Sequence, residues 1–166
     1  MVSALSLKHR GFTLIELLVV TIVIGLILAT AGLNLGSNDR DKLHDEVRRF
    51  SLLLQSAQEE AILQGVVILV GLDAEGYIFF QPDETGKPAE MNQDEIFRSR
   101  QLPDGIKISH SEIDGVAVTE KPFLIFFPTG ETIPFVITFR VHNLRWLVTG
   151  KASGEIQVPE TPEAEA

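Results

Sequence analysis

The chain begins with a short mixed segment, enters an unbroken apolar run, passes into an alternation of apolar and charged positions, and finishes as short apolar stretches between turn residues. From Phe12 to Leu35 the only ionisable side chain is Glu16. Wound as a helix, a run of that length rises roughly 36 Å, enough to span a bilayer core of about 30 Å. Around Gly32, Gly36, Ser37, Asn38 and Asp39 helix propensity drops, and the helix either continues or bends there, with Ser37, Asn38 or Asp39 available to cap a second segment. From Leu43 the apolar positions Val47, Phe50, Leu54, Ala57 and Ala61 recur at spacings of three or four. They stand against a polar face of Asp45, Arg48, Arg49, Gln55, Glu59 and Glu60, the pattern of a helix with one face on a core. Gly65 suits the C-cap.

Beyond Gly65 the apolar stretches shorten and become rich in β-branched and aromatic residues. Strands are predicted at 66–72, 77–81, 97–102, 106–111, 123–127, 133–141, 144–149 and 155–158. Hairpin turns are expected at Asp73-Ala-Glu-Gly76, Pro128-Thr-Gly-Glu131 and His142-Asn143. Pro134 argues for an edge strand or a bulge. The fold class is α+β, a long N-terminal helix packed on an antiparallel β-sheet domain. The expected divisions are a leader at 1–11, a transmembrane helix at 12–35, an amphipathic second half of the helix at 36–65 and a β-rich domain at 66–158. The acidic, proline-bearing tail at 159–166 has no large apolar residue and is expected to be disordered.

Charge decides the orientation of the apolar run and excludes some partners. Lys8, His9 and Arg10 precede it and Asp39 follows it, so the basic end stays in the cytoplasm and the body is sent outward. The net charge is −9, and removal of the leader takes away Lys8 and Arg10, leaving a body more acidic still. Such a body repels phosphate backbones, so nucleic acid is not an expected partner. There is no cysteine, hence no disulfide framework and no thiol chemistry. A secretory signal peptide also has a basic start and an apolar region, but of about 7 to 15 residues. The run here is longer, although small residues at Ala29, Ala31 and Gly32 keep a cleavage site there open. A plain signal anchor is the other simple explanation.

Neither alternative accounts for Glu16, since a carboxylate in an apolar span costs up to about 2.5 to 3.5 kcal/mol at the bilayer centre and needs either a partner or a route to the headgroups. Lys8-His-Arg-Gly11-Phe12-Thr-Leu-Ile-Glu16-Leu-Leu-Val-Val resembles the processing motif of type IV pilin and type II secretion pseudopilin precursors at every defining position. The resemblance implies a pilin-like fold and a membrane prepilin peptidase that cuts between Gly11 and Phe12 and then N-methylates the new amine of Phe12. Gly11 leaves the scissile carbonyl unobstructed, and Lys8 and Arg10 hold the cut at the cytoplasmic face. The amine of Phe12 and the carboxylate of Glu16 would then sit at similar depth, and a neighbouring subunit shifted by one step would pair them in a low-dielectric setting. Glu16 is therefore the expected assembly residue.

The body is similar, more loosely, to the H-type minor pseudopilins of type II secretion and the minor pilins of the FimT kind. The shared residues are Ser56-Ala-Gln-Glu-Glu-Ala-Ile-Leu-Gln-Gly65 before a strand, Phe126-Phe-Pro-Thr-Gly130 before another, and the closing hairpin at 150–158. The resemblance implies a minor pseudopilin at the inner membrane with its C-terminal domain in the periplasm. It would help move folded exoproteins across the outer membrane. The partners implied are the prepilin peptidase, other major and minor pseudopilins, inner-membrane lipid and the exoprotein itself. A minor type IV pilin for adhesion, motility or DNA uptake is the alternative within the family, and a membrane-anchored periplasmic protein the alternative outside it.

Nothing in the sequence points to catalysis or a cofactor. His9, His44, His110 and His142 lack ligand spacing. Ser51, Ser109 and Ser111 lack a nucleophile elbow, and Gly71-x-x-x-x-Gly76 lacks the Lys-Ser/Thr of a phosphate loop. The acidic loop carrying Asp83, Glu84, Glu90, Asp94 and Glu95 holds oxygen ligands suited to Ca²⁺, but no ligand periodicity, so a solvated loop is preferred and no metal is expected. Gly25, in mid-span, is expected to be a place where the helix loosens on packing into a filament.

Overall fold

The computed structural model describes residues 13–164, with side chains described at 13–26 and 39–162. The chain divides into two compact units after Asn38. A single helical element, α1 (Leu14–Gln64), includes the Gly-rich stretch where a cap and a bend were the alternative to continuation. Its start is fixed by Thr13. The Thr13 Oγ1 and carbonyl oxygen accept from the Glu16 amide at 3.3 and 3.1 Å, and the same carbonyl accepts from the Leu17 amide at 3.2 Å. Its end is fixed by Gly65, at φ 67°, with the Val66 amide donating to the Ala61 carbonyl at 3.2 Å. That six-to-one bond is the Schellman closure, and it needs a residue that tolerates positive φ.

In the second unit the helix stripe read from the sequence is the core stripe. Leu43, Val47, Phe50, Leu54, Ala57 and Ala61 are all fully buried. Each large side chain among them contributes about 1.5 to 3 kcal/mol by leaving water. Two antiparallel sheets complete the unit. The first contains β1 (Ile68–Leu72), β2 (Gly76–Pro82), β3 (Pro88–Glu90), β4 (Arg100–Gln101) and β7 (Phe123–Phe126), in the order β3-β2-β1-β7 with β4 also on β2. The second contains β5 (Lys107–Ile113), β6 (Val116–Ala117), β8 (Phe135–Val141), β9 (Leu144–Gly150), β10 (Ile156–Gln157) and β11 (Glu163–Ala164), in the order β10-β9-β8-β5-β6 with β11 also on β9. Phe50 joins helix and sheets, its ring 4.9 Å from Tyr77 of β2 and 5.1 Å from Phe139 of β8. Phe79 extends the cluster to Phe97 at 5.3 Å.

The three predicted hairpin turns form. Asp73 accepts the Glu75 amide through its carboxylate at 2.7 Å, Phe127 and Glu131 close the second turn at 3.0 Å, and His142 takes a positive φ of 50° between paired Val141 and Leu144. Four details differ from expectation. The stretch 97–102 yields only β4, because the Asp94 carboxylate accepts the Ile96 and Phe97 amides in a turn and Phe97 is drawn into the core. The acidic loop contains β3, an edge strand that opens on Pro88, where a missing amide costs no ladder bond. Pro134 precedes β8, a strand between β9 and β5 rather than an edge strand, and its carbonyl accepts the Asp114 amide at 2.8 Å. The tail, expected to be disordered, runs back along β9. Glu163 and Ala164 pair with Arg145 and Leu144, and the Trp146 indole donates to the Pro159 carbonyl at 2.8 Å. Composition warns that such a tail has no apolar surface to bury, but backbone groups at a strand edge need only other backbone groups.

Candidate functional site

Of the residues expected to carry processing and assembly, Lys8, Arg10, Gly11 and Phe12 lie outside the described residues. Glu16 lies on α1, exposed, in the first turn of the helix. Thr13 and Glu16 stand at the N-cap and third helical positions, the spacing of a capping box, and a carboxylate there also favours the positive end of the helix dipole. Thr13-Leu-Ile-Glu16 is visible in the sequence as Thr-x-x-Glu before an apolar run, and it gives Thr13 a role that attention to Glu16 alone had missed. From Leu14 to Leu26 the large apolar side chains are exposed on every side of the helix, from Val20 at 44% to Leu14 at 90%. A helix that is apolar all round is of the kind buried on every side, in a protein core or a membrane. Among the described residues no helix is long and apolar enough to cross a membrane. The expected span at 12–35 continues through side chains outside that set.

A second site was not anticipated. Glu46 is 2% exposed, the one buried carboxylate beside the apolar stripe. Its Oε1 accepts from the Tyr77 hydroxyl at 3.2 Å, and its Oε2 accepts from the half-exposed Arg49 guanidinium one turn on. Burial, reinforced by the Glu46 charge, pushes the Tyr77 phenol above its ordinary value of 10.0. Burial works against the charge of Arg49, yet its hydrogen bond with Glu46 leaves the guanidinium pKa raised. The triad fastens α1 to β2 through a buried carboxylate that has a donor on each oxygen.

The other polar candidates are dispersed. His142 pairs with Asp39 at 3.0 Å, His44 lies against Trp146 with ring centres 5.1 Å apart, and His110 is 3.9 Å from Glu112. Ser51 donates to the Arg48 carbonyl and Ser109 to that of Thr138. In the acidic loop, Asp83 accepts from the Thr85 hydroxyl and from the Thr85 and Lys87 amides. These bonds, the Thr85 hydroxyl foremost, hold its carboxyl below its usual range. Among the described residues no three His, Asp or Glu side chains gather as a metal site. An open groove of about 710 Å³ lies between Leu72, Ile108, His110, Val118, Lys121 and Phe123.

The family model for the type II transport protein GspH matches residues 46–154. The chain belongs to the GspH family. A model of the prokaryotic N-terminal methylation motif matches residues 6–32, the stretch that holds Gly11, Phe12 and Glu16. Type II secretion system protein H of Aeromonas hydrophila is 30% identical, the alignment covering 95% of this chain and 98% of that one. Its counterpart from Pseudomonas aeruginosa PAO1 is 28% identical over 76% of this chain and 80% of that one. Two solved structures of the minor pseudopilin EpsH from the Vibrio cholerae type II secretion system superpose with TM-scores of 0.60 and 0.64 at 21% identity. They cover 71% and 76% of this chain and 96% and 99% of theirs, so this GspH member shares their pilin-like fold.

Proposed function

We propose that the chain is a minor pseudopilin of the type II secretion pseudopilus, made as a precursor that is cut between Gly11 and Phe12 and N-methylated on Phe12. The observation that carries this reading is the union, in one chain, of an N-terminal methylation motif at 6–32 and a GspH body at 46–154. The precursor is held in the inner membrane by the apolar segment that begins at Phe12, with Lys8 and Arg10 on the cytoplasmic side and the β-rich domain in the periplasm. The prepilin peptidase is its first partner, and other pseudopilins are its lasting ones. Its work is protein contact rather than catalysis, in a filament that helps carry folded exoproteins across the outer membrane.

Assembly uses two features of α1. The apolar surface from Leu14 to Leu26 is covered first by lipid and then by the helices of neighbouring subunits. Glu16, placed in the first turn by the Thr13 cap, receives the methylated amine of Phe12 from a neighbour. In a dry setting that ion pair is strong and short-ranged, so it sets register. The test has two arms. Gly11→Leu leaves full-length precursor on a gel, and normal maturation would sink the processing step. Glu16→Ala is inserted and cut but fails to assemble or support secretion; wild-type secretion by that variant would remove the pairing role.

A further inference from the structure

The first sheet is apolar on both of its faces. Ile68, Val70, Phe79 and Leu124 point to the core and are buried. The residues that alternate with them point the other way and are apolar too. Leu69, Gly71, Ile78, Phe80 and Ile125 are half-buried, and Phe123 is 44% exposed. Register sets them side by side, with Phe80, Leu69 and Ile125 in one row across β2, β1 and β7, and Ile78, Gly71 and Phe123 in the next. The runs Ile68-Leu-Val-Gly-Leu72, Tyr77-Ile-Phe-Phe80 and Phe123-Leu-Ile-Phe126 have the unbroken apolar composition of strands covered on both sides. A sheet with one face in water alternates instead, and the second sheet does so: Arg140, Arg145 and Thr149 on its outer face alternate with buried Phe139, Trp146 and Val148.

The rings of Phe80 and Phe123 close over Gly71. Their centres are 6.1 Å apart, and a Cβ at position 71 would stand 3.1 and 3.0 Å from a ring carbon of each, so a side chain there would push them aside. The strands that carry this patch offer little free edge. The far side of β2 holds β3 and β4, while beyond β7 Thr132 bridges Phe126 and its hydroxyl donates to the Ile125 carbonyl at 2.7 Å. What they offer is a face. Three strands at about 4.8 Å spacing make a floor about 10 Å wide, which matches the diameter of one helix. Charge narrows the choice further. The segments that carry the sheet, 66–101 and 118–132, hold nine Asp and Glu against four Lys and Arg, and Glu90 of β3 continues the row of Phe80. A second copy would bring the same negative surround, and an anionic bilayer surface would repel it. A helix with basic flanks meets neither obstacle.

We propose that the outer face of the first sheet, centred on Phe80 and Phe123 over Gly71, docks an amphipathic helix of a partner protein that is apolar toward the sheet and carries Lys or Arg along its flanks. The aromatic pair is the anchor, since large rings at the centre of a contact supply most of its energy. The basic flanks meet Glu90 and its acidic surround, which fixes orientation and speeds encounter. The contact belongs to the β-rich domain alone. It stands apart from cleavage at Gly11 and pairing at Glu16, so failure of either leaves the other intact.

The experiment uses the full-length chain in cells with their own type II secretion system. The photo-crosslinking residue p-benzoylphenylalanine stands in place of Phe80, of Phe123, or of Leu147 on the outer face of the second sheet. Irradiation is expected to give partner-protein adducts at least fivefold more abundant from positions 80 and 123 than from 147. Mass spectrometry of those adducts should place them on the apolar face of a helix with Lys or Arg beside it. Glu84→Lys with Glu90→Lys, both on the β2–β3 hairpin, should lower the yield at least threefold. Adducts with lipid or a second copy only, attachment to a strand, a loop or a helix without basic flanks, equal yield from 147, or a yield indifferent to the two Lys changes would each overturn the proposal. So would the absence of adducts from a chain that accumulates to the normal level. Should p-benzoylphenylalanine at 80 prevent accumulation, position 78, in the row of Phe123, takes its place under the same criteria.

Discussion

The two ends of α1 share a backbone geometry and differ in where their apolar surface finds a partner. At residues 14–26 the large apolar side chains are exposed all round. From Leu43 to Ala61 six apolar residues spaced by three or four are fully buried, with charged residues on the other side. A stripe can be covered by the domain that carries it. An all-round apolar surface needs cover on every side, and one sheet reaches only one side of a helix. The comparison also separates the two carboxylates of the helix. Glu46 has its partners within the same domain, whereas Glu16 is exposed at the capped end of the all-round apolar segment.

The largest expected effect that tests this contrast comes from Phe50→Ala. Its ring touches Tyr77 and Phe139, and its loss should cost about 3 to 5 kcal/mol in urea unfolding of the β-rich domain. Leu18→Ala, removing a comparable apolar group from the other region, should change the same transition by less than about 0.5 kcal/mol. Similar losses for the two would erase the distinction.

Glu46→Ala comes next, at about 1 to 3 kcal/mol, since it leaves the Tyr77 hydroxyl buried without its acceptor. The same contact predicts a pH dependence. Tyr77 has its phenol pKa raised by burial and by Glu46. Stability from this group is therefore fully present below the unfolded value near 10 and declines as pH rises beyond it, where the unfolded chain releases a proton that the folded one retains. Tyr77→Phe should flatten that alkaline decline, and an unaltered slope would show that another group causes it. The chain has one Tyr, so phenolate absorbance reports this site alone.

The smallest effect concerns Gly25, which has nothing within 4 Å of where a Cβ would stand. Gly25→Ala should raise helix stability by about 1 kcal/mol without steric cost. If loosening at this position serves assembly, the variant is more helical in micelles and slower to assemble. Unchanged assembly would confine its role to local propensity.

Much of this organisation could be read along the chain because its causes are local. The stripe from Leu43 to Ala61 follows from helical periodicity, Gly65 from the need for positive φ, and the turns at 73–76, 128–131 and 142–143 from residues that favour tight reversals. The departures also have identifiable causes. The stretch 97–102 looked like a strand because Phe97 and Leu102 are apolar, but Asp94 turned the backbone and Phe97 packed on Phe79. Pro134 looked like an edge signal, yet a proline just before a strand removes no ladder bond. The tail looked unstructured because it has nothing apolar to bury, whereas its pairing draws on the backbone of β9.

The sequence by itself determined the family motif around Gly11 and Glu16, the apolar run, the core stripe and the α+β class, since each depends on residues close together in the chain. Tertiary structure alone decided that Glu46 meets Tyr77 across 31 positions, that the strands divide into two sheets with Phe50 between them, and that Lys107, Arg140 and Arg145 fall in one row. Periodicity tells which side of an element faces inward. It does not tell which residue of a distant strand lies opposite, because register is set by the joint packing of all the strands at once.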